Sequence, residues 1–206
     1  MKRINISVFA AIAVFAMLAF TLAPVPSSAA AGIEIGATLE DFKLTGTDGK
    51  EHSLNGLKGS KGTVVIFLSA QCPVVKGYVS RIDEIAAEYK AKGINFIGIN
   101  SNRRNFESLE WVTRDAAERY KFPVLIDTGN VIADKLGATV TPEVYYFDSK
   151  NVLLYKGAID NDRAGSNVTD PYLKTAFDSA LSGKAIERTE TKAFGCGIKR
   201  EGDDAK

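Results

Sequence analysis

The stretch from Thr63 to Ile99 limits the fold more than any other part of the chain. Thr63-Val64-Val65-Ile66-Phe67-Leu68 is a continuous apolar, β-branched run, the pattern of a central strand covered on both faces. From Pro73 to Lys92 the period changes. Val74, Tyr78, Ile82, Ile85 and Tyr89 recur at three- and four-residue spacings, while Arg81, Glu84, Glu88 and Lys92 take the other face. Pro73 suits a first helical turn, where its missing N–H has no intrahelical partner to lose. Gly93 closes the helix, and Ile94-Asn95-Phe96-Ile97-Gly98-Ile99 reads as a second buried strand. Strand, helix and strand with a short return make a βαβ unit, which dictates parallel strands and a right-handed crossover. The fold class is therefore α/β.

The remaining elements extend this unit. Phe42 and Leu44 alternate with Asp41, Lys43 and Thr45, and Asp48-Gly49 predicts a hairpin turn before Lys50-Glu51-His52-Ser53-Leu54. Gly56, Gly59 and Gly62 mark a loop. A second helix is predicted over 105–120, a short strand over 122–127, and a short helix over 131–136 closed by Gly137. Thr141-Pro142 precedes an aromatic strand over 144–148, which Ser149-Lys150-Asn151 turns back into an antiparallel partner over 152–156. A final amphipathic helix over 172–181 stops at Gly183. The tail from Lys184 onward is polar apart from Ala193-Phe194-Gly195-Cys196-Gly197-Ile198, and reads as flexible with a frayed end.

Residues 1–31 read as a secretory signal peptide. Lys2 and Arg3 precede an apolar run from Val8 to Leu22, then Pro24, Pro26 and the small residues Ser27 to Ala31. The run is shorter than the roughly 18–20 residues of a spanning helix, which leaves an uncleaved membrane anchor as the alternative. Cleavage near Ala30 or Ala31 predicts a periplasmic or extracellular protein with no membrane attachment afterwards. No cysteine near that site supports a lipid anchor. The predicted units are 1–31, a domain over 32–184 and a tail over 185–206, and about 175 mature residues suit one compact core. Losing Lys2 and Arg3 takes the formal charge from +1 to −1, so no electrostatic footprint for nucleic acid remains.

Both cysteines, Cys72 and Cys196, survive processing. In an oxidising compartment they serve either as a structural disulfide or in redox work. Cys72 stands between a buried strand and a helix start, where unpaired N–H groups and the helix dipole favour thiolate over thiol. Thiolate is the attacking species in disulfide exchange. A buried, inert thiol is the bland alternative. Thr141-Pro142 is either an ordinary strand-start proline or a cis peptide that sets the Thr141 backbone opposite the thiol to pair with a bound chain.

Several other residues are weaker candidates. His52, the single histidine, reads as an exposed hairpin residue, and a metal site wants more nitrogen or sulfur ligands. Glu143 reads as an exposed strand-edge acid, with proton transfer near the thiol as its sharper alternative. Asp160, Asp162 and Arg163 read as a solvated loop, with Arg163 within range of the active face. Asn167-Val168-Thr169 matches a glycosylation acceptor pattern. Trp111 and the tyrosines read as core or groove residues. No cofactor and no metal are expected.

Several segments resemble one family. Gly36-Ala37, Asp41-Phe42-Lys43-Leu44, Asp48-Gly49-Lys50, Ser53-Leu54 and Leu57-Lys58-Gly59 resemble the opening of the redoxins. These comprise the alkyl hydroperoxide reductase/thiol-specific antioxidant (peroxiredoxin-like) group and the periplasmic thiol-disulfide reductases. Val64 to Pro73 resembles their active-site strand and loop, and Val140 to Asp148 their cis-proline loop and following strand. Glu190 to Lys199 is similar to the ending of a peroxiredoxin-like branch. The resemblance implies a thioredoxin-like fold, a central mixed β-sheet flanked by helices with an N-terminal β-hairpin extension.

The departures from the family pattern narrow the mechanism. A thioredoxin-type motif has a second thiol three positions after the first, where this chain has Val75. A peroxiredoxin-type site has Pro seven residues before the cysteine and Thr or Ser three before it, with an Arg brought in from elsewhere. Ser69 meets the middle condition, Val65 fails the first, and no Arg is assignable. Cys196 remains as the second thiol, resembling a resolving cysteine that folds back in cis or reaches a partner subunit. Three readings stay open. In the first, Cys72 carries out thiol-disulfide exchange, supported by Ser69, Pro73, Thr141 and Pro142, and Cys196 or an external thiol reductant resolves it; the substrates are protein or small-molecule thiols and disulfides. The second is a thiol peroxidase acting on hydroperoxides. The third is a redox-inert binding module with a permanent Cys72–Cys196 staple.

Overall fold

The computed structural model describes residues 32–203; the predicted signal segment lies outside the described residues, as do residues 204–206. The chain runs β1 (Lys43–Gly46), β2 (Glu51–Ser53), α1 (Leu54–Leu57), β3 (Gly62–Phe67), α2 (Pro73–Lys90) and β4 (Ile94–Asn100). It continues through α3 (Leu109–Arg119), β5 (Val124–Ile126), a 3-10 turn at Thr128–Asn130, α4 (Val131–Leu136) and β6 (Val140–Thr141). Then come β7 (Glu143–Asp148), β8 (Leu153–Gly157), α5 (Tyr172–Leu181) and β9 (Cys196–Gly197). Seven strands form one mixed sheet in the order β2-β1-β5-β4-β3-β7-β8, and β6 and β9 pair separately.

The predicted βαβ unit is present. β3 and β4 are parallel with Val65 opposite Ile97, and β5 continues the parallel run beside β4. β7 is antiparallel to β3 and β8 to β7. The hairpin of β1 and β2 joins the same sheet, because β1 pairs antiparallel with β5.

β3 is buried at all six positions, and its alternation divides the core. Val64 and Ile66 face Tyr78, Ile82 and Tyr89 of α2 and Leu173 and Phe177 of α5. Val65 and Phe67 face the other way, toward Leu125, Tyr145, and Ile132 and Leu136 of α4. Each such fully buried side chain contributes roughly 1.5–3 kcal/mol. One strand thus fixes both layers, and its C-terminal end is held from two sides.

Three expectations need correction here. Gly56, expected in a loop, lies inside the short helix α1, whose N-cap Ser53 hydroxyl accepts from the Gly56 N–H at 3.0 Å. The second helix begins at Leu109 rather than at residue 105, because the Ser108 hydroxyl caps it by accepting from the Trp111 N–H at 3.2 Å. Residues 103–107 instead form a tight turn, with the Phe106 and Glu107 N–H groups donating to the Arg103 carbonyl. The tail is likewise no loose appendage over its described length. The Lys156 N–H donates to the Thr189 carbonyl at 3.0 Å, and the Thr191 N–H donates to the Lys156 carbonyl at 3.1 Å. Gly157, at φ +132°, permits this approach, since a Cβ there would overlap the Thr191 carbonyl.

Farther along, Phe194 packs on Tyr78 and the half of the core shared with α2. Ile198, four residues later, is buried in the opposite half. The tail therefore crosses from one face of the sheet to the other past the strand ends. Beyond it, Arg200 pairs with Asp134 and donates to the Ala138 carbonyl. Two apolar anchors on either side of a Gly-Cys-Gly stretch are too few to set a helical or strand period, so a pattern-based reading finds only a polar tail.

Candidate active site

Cys72 occupies the N-cap of α2 in extended conformation, with Pro73 as the first helical residue. It is 1% exposed. Its N–H donates to the Ser69 hydroxyl at 3.1 Å. Its sulfur is bonded to Cys196, 124 residues downstream, with the two Cα atoms 5.8 Å apart. Val75 is fully buried beneath, and Val65 faces the opposite half of the core from Cys72.

Cys196 is positioned by β9, which pairs antiparallel with β6 so that Thr141 lies opposite Cys196 and Val140 opposite Gly197. The Thr141–Pro142 peptide is cis. The Thr141 carbonyl lies 3.3 Å from the Cys72 sulfur, and the Thr141 hydroxyl donates to the Cys196 carbonyl at 3.4 Å. The backbone edge that a cis Thr141-Pro142 would offer to a bound chain is thus filled by the protein's own tail. Gly195 is required at that crossing, because a Cβ would overlap the Thr141 carbonyl. The structure brings together all six residues singled out from sequence: Cys72, Cys196, Ser69, Pro73, Thr141 and Pro142.

It also adds a residue that sequence reasoning missed. Glu107 is fully buried. Its carboxylate accepts from the Ser69 hydroxyl at 2.5 Å, the Gln71 N–H at 2.8 Å, and the side-chain amides of Asn100 at 2.5 Å and Asn102 at 3.2 Å. Four donors are what a buried carboxylate needs in place of water. Asn102 in turn accepts from the Lys199 N–H at 2.7 Å, and the Arg103 N–H donates to the Lys199 carbonyl at 2.8 Å. One network therefore holds the loop before Cys72 and the tail after Cys196. Arg104 supplies positive charge beside it; burial holds its guanidinium below the usual arginine range, with Glu107 opposing that fall. The signal available in the sequence was the polar run Asn100-Ser101-Asn102 directly after an apolar strand.

Opposing effects act at the Cys72 sulfur. The N–H groups of Val74 and Val75 lie in the first turn without intrahelical partners, and the helix start favours negative charge there. Burial and the Thr141 carbonyl oxygen 3.3 Å away disfavour negative charge on the sulfur, and that oxygen would accept from the S–H of a reduced Cys72. In the oxidised state the sulfur makes no capping hydrogen bond, so those donors have no competitor for a thiolate released by reduction.

The weaker candidates bond to neither cysteine, and three of them need correction. His52 is half-buried rather than exposed and pairs with Asp48 at 3.0 Å. Glu143 is half-buried as well, and its carboxylate accepts from the N–H groups of Thr139 and Val140, bracing the approach to β6. Asp160 is not solvated: it is buried, accepting from the Tyr78 hydroxyl at 2.7 Å and pairing with Arg81 at 2.6 Å. Burial and this carboxylate push the Tyr78 phenol well above the ordinary tyrosine range. Arg163 and the segment Asn167-Val168-Thr169 lie exposed on the loop beyond.

A family model described as Redoxin matches residues 34–172. Among curated proteins, the thiol-disulfide oxidoreductase ResA of Bacillus anthracis is 28% identical over 116 residues, which cover 56% of this chain and 65% of that protein's length. A hypothetical protein of Sinorhizobium meliloti has a crystal structure similar to this one, with TM-score 0.76 and 32% identity, covering 83% of this chain and 97% of that one. The peroxidoxin BcpB of Mycobacterium tuberculosis matches at TM-score 0.56 and 18% identity, over 73% of this chain and 95% of its own, which shows a shared thioredoxin-like fold.

Proposed function

The chain belongs to the redoxin family, and from that premise we propose that it is an exported thiol-disulfide oxidoreductase whose redox couple is Cys72 and Cys196. The observation that carries this reading is the disulfide itself, which joins the helix-start cysteine to a second thiol that the local sequence does not supply. Its likeness to the curated thiol-disulfide oxidoreductases supports the reaction class. Export rests on the sequence of residues 1–31.

In this scheme the oxidised couple takes two electrons from a thiol reductant and passes them to a disulfide on a protein or small molecule. Cys72 is the sulfur whose negative charge the helix start stabilises. Glu107 and Ser69 keep its loop in place, and β6 with β9 keeps Cys196 against it. Equilibrating the mature protein with graded dithiothreitol, then trapping and weighing the alkylated forms, tests this. Reversible two-thiol titration in the folded state is the expected result, and turnover of a disulfide substrate is expected to vanish in the Cys196→Ser variant.

The anchored tail favours a second reading, a permanent structural staple in a redox-inert binding module. Its mark is a disulfide that resists dithiothreitol until the protein unfolds. Peroxide consumption by reduced wild type and the Cys196→Ser variant is the parallel assay for hydroperoxide chemistry at Cys72.

A further inference from the structure

Exchange at a disulfide begins on one of its two sulfurs, and the two here are not equivalent. Cys72 is 1% exposed, sealed beneath the tail, with the Thr141 carbonyl 3.3 Å from its sulfur. Cys196 is half-buried, lies on a two-residue strand and is flanked by Gly195 and the exposed Gly197, so neither neighbouring side chain screens it. The leaving groups differ in the same sense. Attack at Cys196 releases the Cys72 thiolate at the start of an 18-residue helix, beside the unpartnered N–H groups of Val74 and Val75. Attack at Cys72 releases the Cys196 thiolate on a strand, which has no such dipole. A better-stabilised thiolate leaves faster.

Resting on the exchange reading above, we propose that Cys196, not Cys72, is the sulfur that a partner thiol attacks and that carries the mixed disulfide, while Cys72 is the internal leaving and displacing thiolate. The reduction then runs in two steps. An external thiolate bonds to the Cys196 sulfur, the Cys72–Cys196 bond breaks, and its electron pair departs on Cys72. A second external thiolate bonds to the partner sulfur of that mixed disulfide, releasing the partner as a disulfide and Cys196 as a thiolate that takes a proton from water. Two thiols are oxidised and one disulfide is reduced. In the reverse direction Cys196 attacks the substrate disulfide, and Cys72 displaces the bound half.

The anchors on both sides of Cys196 give this order a physical basis. Phe194 on Tyr78 and the backbone pairing of Thr191 lie before it; Ile198 in the core and Lys199 on Asn102 lie after it. Breaking the sulfur bridge removes none of these contacts. Cys196 therefore stays over Cys72 while it carries an adduct, and the displacing step is intramolecular at high effective concentration.

The test is to expose oxidised wild-type mature protein to excess glutathione, quench with acid, alkylate with N-ethylmaleimide and map the peptides by mass spectrometry. The expected product carries glutathione on Cys196 and maleimide on Cys72, exceeding the reverse pattern by roughly tenfold or more. Glutathione on Cys72, or an even split, overturns the order and leaves the exchange reading intact. If reduction proceeds with no adduct trapped, native-state reaction of the Cys72→Ser and Cys196→Ser variants with 5,5′-dithiobis(2-nitrobenzoate) decides. Faster labelling of Cys196 in the first variant supports the order; faster labelling of Cys72 in the second overturns it. A bridge that resists glutathione until unfolding overturns the exchange reading and this order together.

Discussion

Cys72 and Cys196 reach the same place, 5.8 Å apart at Cα, by different means. The Cys72 side is built locally. An apolar strand, a short loop, a proline and an amphipathic helix set that residue within a dozen neighbours, each obeying its own propensity. The Cys196 side has no periodic element at all. Its two-residue strand exists because Thr189 to Thr191 dock beside Lys156, Phe194 and Ile198 enter opposite halves of the core, and Lys199 meets Asn102. The second sulfur of the bridge comes from 124 residues downstream rather than from the local motif, at the cost of ordering some fifteen residues, roughly 1–2 kcal/mol each for the backbone. The bridge and the anchors together must offset that.

The sharpest way to break this comparison is to remove the bridge. Closing a loop of 124 residues is worth up to about 5 kcal/mol in the chain-entropy account. Urea titrations of oxidised wild type and the Cys196→Ser variant are expected to differ by a large part of that, and by far more than any single tail anchor. A smaller difference, under about 1 kcal/mol, means the anchors alone hold the tail.

Ile198→Ala comes next, with an expected loss of about 2–4 kcal/mol, comparable to Ile66→Ala in β3. Equal costs would make the tail as much a part of the core as the central strand; a negligible cost at Ile198 would return it to a loose flap. Gly195→Ala acts more narrowly, since its Cβ must displace β9 from Thr141. Slower closure of the disulfide after reduction, followed by quenched alkylation, is the expected outcome, with a folding stability closer to wild type than that of the Ile198→Ala variant.

Glu107→Gln probes the link between the two sides. It sets an amide N–H against donors and removes charge from four hydrogen bonds, with an expected cost of about 1–3 kcal/mol. A slower closing rate at Cys72–Cys196 is also expected, which a purely structural role in the core would not produce. At the small end, Glu40→Gln removes the exposed pair with Lys135 and is expected to leave both melting and disulfide closure unchanged.

Much of the body is readable without coordinates. Val64 to Phe67, the Val74-Tyr78-Ile82-Tyr89 spacing and the α4 residues closed by Gly137 announce their elements because burial on a periodic element leaves a periodic trace. Glu107 left no such trace: a buried carboxylate in a loop looks like any solvated acid until its four donors are placed around it. Asp160 misled for the same reason, its partners Tyr78 and Arg81 being supplied by α2 some eighty residues earlier. Ser108 is a local signal by contrast, a cap three residues before the N–H it accepts from, and Glu143 likewise bonds N–H groups only three and four residues back.

The sequence by itself determined the βαβ unit, the placement of Cys72 at a helix start, and the absence of a second thiol at Val75. These follow from propensity and period over a few consecutive residues. Only the tertiary structure decided that Cys196 closes the site, that the tail fills the Thr141 edge, and that one buried carboxylate braces both halves. Such contacts join residues far apart in the chain, and their energy comes from burial and hydrogen bonding that no local pattern encodes.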